Sequence, residues 1–452
     1  MKNLLKIFLA FACLFSQDAL AQTPSQHSST FPVNGTVDKH LVRTVLENAT
    51  VHVDHNTTIL NGTVVLYRGM IEKVGFSDEV SVSGPAVRLD MEGYHLYPSF
   101  VDLQSTYGTP TVKPAEWSRK PQYESDKKGA YGWNQAIRPE INAVDAFVED
   151  PKTAKSMRKA GIGAMLVHIP DGISRGTGAL VMPVDDPRDA VITPKASAHY
   201  SFRKGSSKQN YPSSLMGATA LLRQTQLDAE WYYDASKRGL AGGTNLSLEA
   251  FNEAQELPQV FSAGNWKDIL RATTIGEEFR VDYIISGGGD SYQRAEAIAA
   301  TGATIIVPVN YPKAYDLSDP LLARFVSLTE LKHWELAPSN ASILNDAGVN
   351  FCFTSSGLKS PSEFLPAVRK AVERGLPESE ALAALTTNPA EAIGAEDLVG
   401  SISKGSMANV LVTDGPLFEK ETKLIEHWVS GEATIMVYIL VLMCKAILLQ
   451  KS

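Results

Sequence analysis

Residues 97–106 read Tyr97-Pro98-Ser99-Phe100-Val101-Asp102-Leu103-Gln104-Ser105-Thr106, and the pattern of the chain changes inside this stretch. Upstream of Pro98 lie short β-like runs at 49–53, 62–67, 70–75, 87–90 and 94–97, with Arg68-Gly69 between two of them as a hairpin turn. Such a meander is too small to bury a face alone. Downstream, apolar runs alternate with helix-patterned segments. The predicted strands are 99–103, 164–169, 259–262, 283–286, 304–309 and 349–354; the predicted helices are 154–160, 214–233, 265–279 and 291–301. Strand–helix alternation favours a parallel sheet, and about 250 residues is the usual size of an eight-fold barrel. Strand patterning returns at 399–402 and 408–413. The predicted fold class is α/β: a (β/α)8 TIM-like barrel over 98–397, with a small β-sandwich built from both chain ends, 45–97 and 398–432. Residues 113–134, rich in Pro, Lys and aromatics, read as a long loop.

The bulk properties narrow the function classes. A net charge of −8 with no basic stripe argues against nucleic acid and against anionic membrane surfaces as partners. Lys2 and Lys6, the apolar run 7–15 and the small residues Ala19-Leu20-Ala21 have the order of a signal peptide, 1–21, followed by a lead segment, 22–44. The expectation is an exported chain, periplasmic or extracellular. Cys13 lies within the apolar run, so Cys352 and Cys444 are the cysteines of the mature chain, and two so placed make no disulfide framework. Cys352, inside Val349-Asn350-Phe351-Cys352-Phe353, reads as a core residue. The apolar tail, 433–452, is too short to span a bilayer and is interrupted by Lys445; it reads as the product of a truncated or frame-shifted gene.

Two long patterns carry a family resemblance. The first runs from Glu47-Asn48-Ala49 through Asn61-Gly62-Thr63-Val64, Gly69-Met70-Ile71-Glu72-Lys73-Val74-Gly75 and Leu89-Asp90-Met91-Glu92-Gly93 to Pro98-Ser99-Phe100-Val101-Asp102. The second runs from Gly375-Leu376-Pro377-Glu378 through Thr386-Thr387-Asn388-Pro389-Ala390 to Gly400-Ser401-Ile402, Lys404-Gly405-Ser406-Met407-Ala408-Asn409-Val410 and His427-Trp428-Val429-Ser430-Gly431. In this order they resemble the amidohydrolase superfamily, in its imidazolonepropionase-like secreted branch, over residues 45–430. The chain also looks like the first module of larger two-module proteins, so a second amidohydrolase-like module is an expected partner.

That resemblance implies one or two metal ions, zinc above all, at the C-terminal mouth of the barrel, where they activate a water for attack on a C–N bond other than a main-chain peptide bond. It implies an Asp-X-His-X-His motif on the first strand, whose alternate residues face one side. Here Asp102 stands, but Gln104 and Thr106 occupy the two histidine positions. Ser262 stands at the next expected histidine, Ser286 or Gly287 at the one after, and Ser355 near the proton-moving aspartate. Neutral amides and hydroxyls are poor ligands for zinc-like ions, so a standard binuclear site is not encoded. Two functions stay open: a hydrolase of carbon–nitrogen bonds with a degenerate metal site, or a non-catalytic module that binds or packs beside a catalytic partner.

Other candidates come with two readings each. His168 is a relocated ligand or base, or a hydrogen-bonded loop histidine; Asp102 is a residual ligand or a structural acceptor. His199 and His333 are further ligand candidates or loop histidines, and Lys195 and Lys204 are carbamylation candidates or exposed lysines. The turn Ser286-Gly287-Gly288-Gly289-Asp290 is an anion cradle or a tight strand-to-helix turn, with Asp290 a possible part of a rearranged site. Gly172, Gly176 and Gly178 suggest a flexible loop over the mouth, in which Arg175 could hold a carboxylate.

Overall fold

The structure, a computed structural model, describes residues 42–113, 121–316, 318, 321 and 324–436. The expected signal segment, most of the lead, and the tail beyond 436 with Cys444 lie outside the described residues. Two eight-stranded sheets organise what is described.

The first sheet takes strands from both ends of the chain. In chain order they begin with β1 (Arg43–His52), β2 (Thr58–Tyr67), β3 (Met70–Phe76), β4 (Ala86–Asp90) and β5 (His95–Pro98). Gly69 follows Arg68 at the β2–β3 turn, with φ of 73° and 53° respectively, so both turn residues sit in the left-handed region that matches the twist of a two-residue hairpin. β1 pairs with β4 along its first half and with β5 along its second. The far strands of this sheet, β14 (Val410–Thr413), β15 (Leu424–Val429) and β16 (Glu432–Ile435), join through β14 lying antiparallel to β5. The strands thus form one hydrogen-bonded sheet, and β16 extends into the segment read as tail.

The second sheet carries the site. Its strands are β6 (Phe100–Ser105), β7 (Ile162–Val167), β8 (Ser174–Val181), β9 (Val191–Ser201), β10 (Gln259–Ser262), β11 (Tyr283–Ser286), β12 (Ile305–Pro308) and β13 (Phe351–Thr354), hydrogen-bonded in that sequence. All run parallel except β8, which is antiparallel to both β7 and β9. All six predicted strands appear. The glycine-rich segment 172–178 departs from its reading: from Ser174 it is strand rather than loop, and it is buried. Gly176 explains why. A Cβ there would lie 1.8 Å from the carbonyl oxygen of Ile141, and φ is +79°, so glycine lets segment 137–142 lie against β8. Glycine reads as freedom in a sequence; here it permits close approach.

Alternate strand residues divide between two apolar clusters, as a period of two requires. Val101, Leu103, Leu166, Leu180, Val260, Ile284, Ile306 and Cys352 form one, with Ala390, Ile393 and Val399. Phe100, Met165, Val167, Phe261, Ile285, Phe351 and Phe353 belong to the other, which includes residues of the helices Leu215–Lys237, Trp266–Phe279 and Phe364–Glu373. The first and last strands meet: Thr354 Oγ1 at the end of β13 donates to Asp102 Oδ1 on β6 at 2.7 Å. Among the described residues no helix is long and apolar enough to cross a membrane.

Candidate functional site

Parallel strands present their C-terminal ends at one mouth, and the reversed β8 brings its N-terminal residues, Ser174 and Arg175, to that same end. Two corners of this mouth differ in chemistry.

At the first, Asp102 is 1% exposed and its carboxyl is fully engaged. Oδ1 accepts from Thr354 Oγ1 and from the Gln104 amide at 3.0 Å; Oδ2 accepts from the Ser355 amide at 2.9 Å and Ser355 Oγ at 2.5 Å. Burial pushes its pKa upward, against the pull of these four hydrogen bonds. Beside it opens a cavity of about 950 Å³, lined by Gln104, Thr106, His168, Ser355 and neighbouring loop residues.

At the second corner, His168 and His199, each 1% exposed, stack face to face with ring centroids 4.2 Å apart and planes 2° from parallel. His199 Nε2 meets Ser197 Oγ at 2.8 Å. Neither nitrogen of His168 and not Nδ1 of His199 has a protein partner, and Gln104 Oε1 is in the same condition. Burial, with a smaller push from Arg175, lowers the His168 pKa to about 3. His199 is lowered well below its ordinary value by burial, then by His168 and Arg175. Both rings are therefore neutral at pH 7.

Arg175, 7% exposed, donates from Nε to the Gly172 carbonyl at 3.1 Å and from Nη1 to Ser262 Oγ at 3.0 Å. Burial lowers its pKa to about 10, so it remains a cation. Asp171, the acid acting on it, bridges Arg138 instead and accepts from Ser206. Among the described residues no carboxylate lies within ion-pairing distance of Arg175.

The remaining candidates fall elsewhere. Asp290 Oδ1 accepts from the Trp266 amide at 2.9 Å and so caps a helix start. The Gly287 amide is spent on the Ile306 carbonyl, which leaves the glycine turn a strand-to-helix connection. His199 lies on β9 rather than in a loop. His333 pairs with Tyr292 Oη at 3.1 Å on the helix Leu328–Leu336. Lys195 is exposed near Glu253, and Lys204 donates to the Gln209 carbonyl. Cys352 is buried on β13, its thiol pushed upward by burial. Sequence reasoning missed a second Ser–His contact, Ser99 Oγ to His427 Nε2 at 2.6 Å. The other ring nitrogen of His427 is tied to the Arg158 carbonyl, and the serine is 4% exposed, so this pair braces the two sheets.

The metal that the fold implies does not fit these donors. Gln104, Thr106, Ser262, Ser286 and Ser355 supply neutral atoms, and Asp102 already accepts four hydrogen bonds. The two neutral imidazoles stack, so their in-plane lone pairs run parallel and do not converge on one ion. A dication would also meet the guanidinium that Ser262 holds. Among the described residues no group of three or more His, Cys, Asp or Glu side chains is arranged to hold a metal.

Comparison with known proteins bears on the fold. Residues 286–441, about a third of the chain, match the model of the amidohydrolase family. A search of the curated proteins found no match. An amidohydrolase from Thermotoga maritima MSB8 superposes with a TM-score of 0.66 at 23% identity, covering 87% of this chain and 100% of its own. A prolidase complexed with n-methylphosphonate-l-proline superposes with a TM-score of 0.52 at 17% identity, covering 88% of this chain and 100% of its own. The resemblance read from the sequence is thus borne out: this is an α/β chain of amidohydrolase fold with a mostly parallel sheet.

Proposed function

We propose that this amidohydrolase-like chain is a metal-free module that binds a small molecule at its strand ends rather than hydrolysing it. The reading takes the second sheet as a closed barrel, its seam made by Thr354 and Ser355 on Asp102. It takes the first sheet as the family's sandwich, contributed by both ends. One observation carries the reading: a buried guanidinium, Arg175, is hydrogen-bonded to Ser262, the residue at an expected metal-ligand position. A cation already part of the fold opposes a second one. Without a metal, the attacking water keeps a pKa near 15.7, and the nucleophile is scarce at neutral pH.

The family match over 286–441 favours a second reading, a hydrolase of carbon–nitrogen bonds other than peptide bonds. Elemental analysis of the dialysed full chain, with a hydrolysis screen on simple amides, cyclic amides and dipeptides, separates the two. The expected result is no stoichiometric zinc and no turnover above buffer. One equivalent of metal retained through dialysis, with hydrolysis that a chelator abolishes, would replace the binding reading with the hydrolytic one.

A further inference from the structure

We infer that Arg175 is the anchor of a carboxylate-binding site at the mouth, and that the small molecule bound there is an organic carboxylate. This deepens the metal-free reading and rests on it. Three observations converge.

A buried cation without a counter-charge is costly, and structures pair such groups or hydrate them. Arg175 uses Nε and Nη1 on the Gly172 carbonyl and Ser262 Oγ, while among the described residues its Nη2 edge meets no acceptor. Its 7% exposure leaves room for contact from outside the protein. Asp171 acts on Arg175 from a distance and outweighs the like charge of Arg203, after β9, but its direct contacts are with Arg138 and Ser206, so its carboxylate does not cover the guanidinium.

Next to this cation, His168 and His199 hold ring nitrogens without protein partners, in side chains 99% buried by their 1% exposure. A neutral imidazole carries one N–H donor in either tautomer, so the pair supplies neutral donors beside a charged fork. A carboxylate meets both: it takes two parallel bonds from a guanidinium and accepts further bonds at its remaining lone pairs. His168 also lines the cavity of about 950 Å³, large enough for the rest of a small organic molecule. The hydroxyls of Thr106 and Ser355 line the same cavity and offer polar contacts for that remainder.

The test uses the full chain, dialysed against chelator and undialysed in parallel, titrated calorimetrically with succinate, succinamide and inorganic phosphate at constant ionic strength. Succinamide is the neutral analogue of succinate, so wild-type protein alone already answers the question. Succinate is expected to bind at least tenfold tighter than succinamide, equally in both preparations. The Arg175→Met variant is expected to lose that preference, and Arg175→Lys to recover part of it, since lysine keeps the charge without the fork. Equal binding of succinate and succinamide, or an undiminished preference in a folded Arg175→Met, overturns the inference. Phosphate binding tighter than succinate also overturns it, in favour of a phosphate site. Binding of succinate only to undialysed, metal-bearing protein would instead overturn the metal-free reading. Absence of the preference in dialysed and undialysed protein alike would sink this inference and leave that reading standing.

Discussion

The corner around Asp102 and the corner around Arg175 share one mouth and are built on opposite rules. At Asp102 each carboxyl oxygen has two donors, and the donors come from β6 itself and from β13 and the residue after it, the far end of the sheet. At Arg175, among the described residues, no carboxylate pairs with the charge, three of the four ring nitrogens of His168 and His199 lack a protein partner, and Ser262 accepts from the guanidinium. A fully satisfied buried network rigidifies a fold; a partly satisfied one costs stability and is retained where something else is gained. The difference places Asp102 in the architecture and is the ground of the proposal that Arg175 binds. Resemblance alone would have assigned them the other way, because Asp102 is the residue that matches the expected motif.

The largest expected effect breaks the first corner. Asp102→Ala leaves two hydroxyls and two amides without their acceptor, and should lower the free energy of unfolding by about 4 kcal/mol. Urea denaturation measures it. A change below about 1 kcal/mol, typical of an exposed side chain, would show that the carboxyl is not the seam of the sheet.

An acid titration sharpens the second corner. His168 and His199 are held neutral in the folded protein and are ordinary when unfolded. The unfolded chain therefore binds more protons below about pH 6.5, and stability present above that pH falls as the pH drops toward 3. His427, lowered to about 4 by its burial, contributes in the same direction. Each group costs about 2–3 kcal/mol between pH 6.5 and 4.5. Replacing one ring by an apolar side chain, His168→Leu, should remove about one proton from that slope, read from denaturation midpoints at several pH values. Parallel acid limbs for variant and wild type would show that the ring is not held neutral.

The smallest effect has the opposite sign. Arg175→Met removes a buried charge that no carboxylate balances and should stabilise the free protein by about 1 kcal/mol. Stability gained together with carboxylate preference lost is the signature of a residue kept for binding. Destabilisation of several kcal/mol would mean that Arg175 is structural and that the two corners follow the same rule.

Much of the fold was legible because it is written in local pattern. Two left-handed turn residues, Arg68 and Gly69, between β-runs specify a hairpin, and the apolar runs at 259–262 and 283–286 coincide with β10 and β11. That Gln104 and Thr106 stand where the resemblance expects two histidines could also be read directly, since a strand's alternation puts them on one side. The reversed β8 could not. Its glycines look like loop because their purpose is close approach to segment 137–142, a contact between residues some 35 positions apart in sequence that no local pattern encodes. For the same reason no local pattern pointed to a neighbour for His199, whereas β8 and the register of β9 bring it onto His168. Asp290 looked like a site residue because its helix-capping role depends on Trp266, which belongs to the preceding strand–helix unit. The sequence by itself determined that the ligand types the resemblance implies do not stand at 104, 106, 262, 286 and 355. Only the tertiary structure decided what stands there instead, because charge balance and hydrogen-bond satisfaction belong to groups that the chain brings together from distant positions.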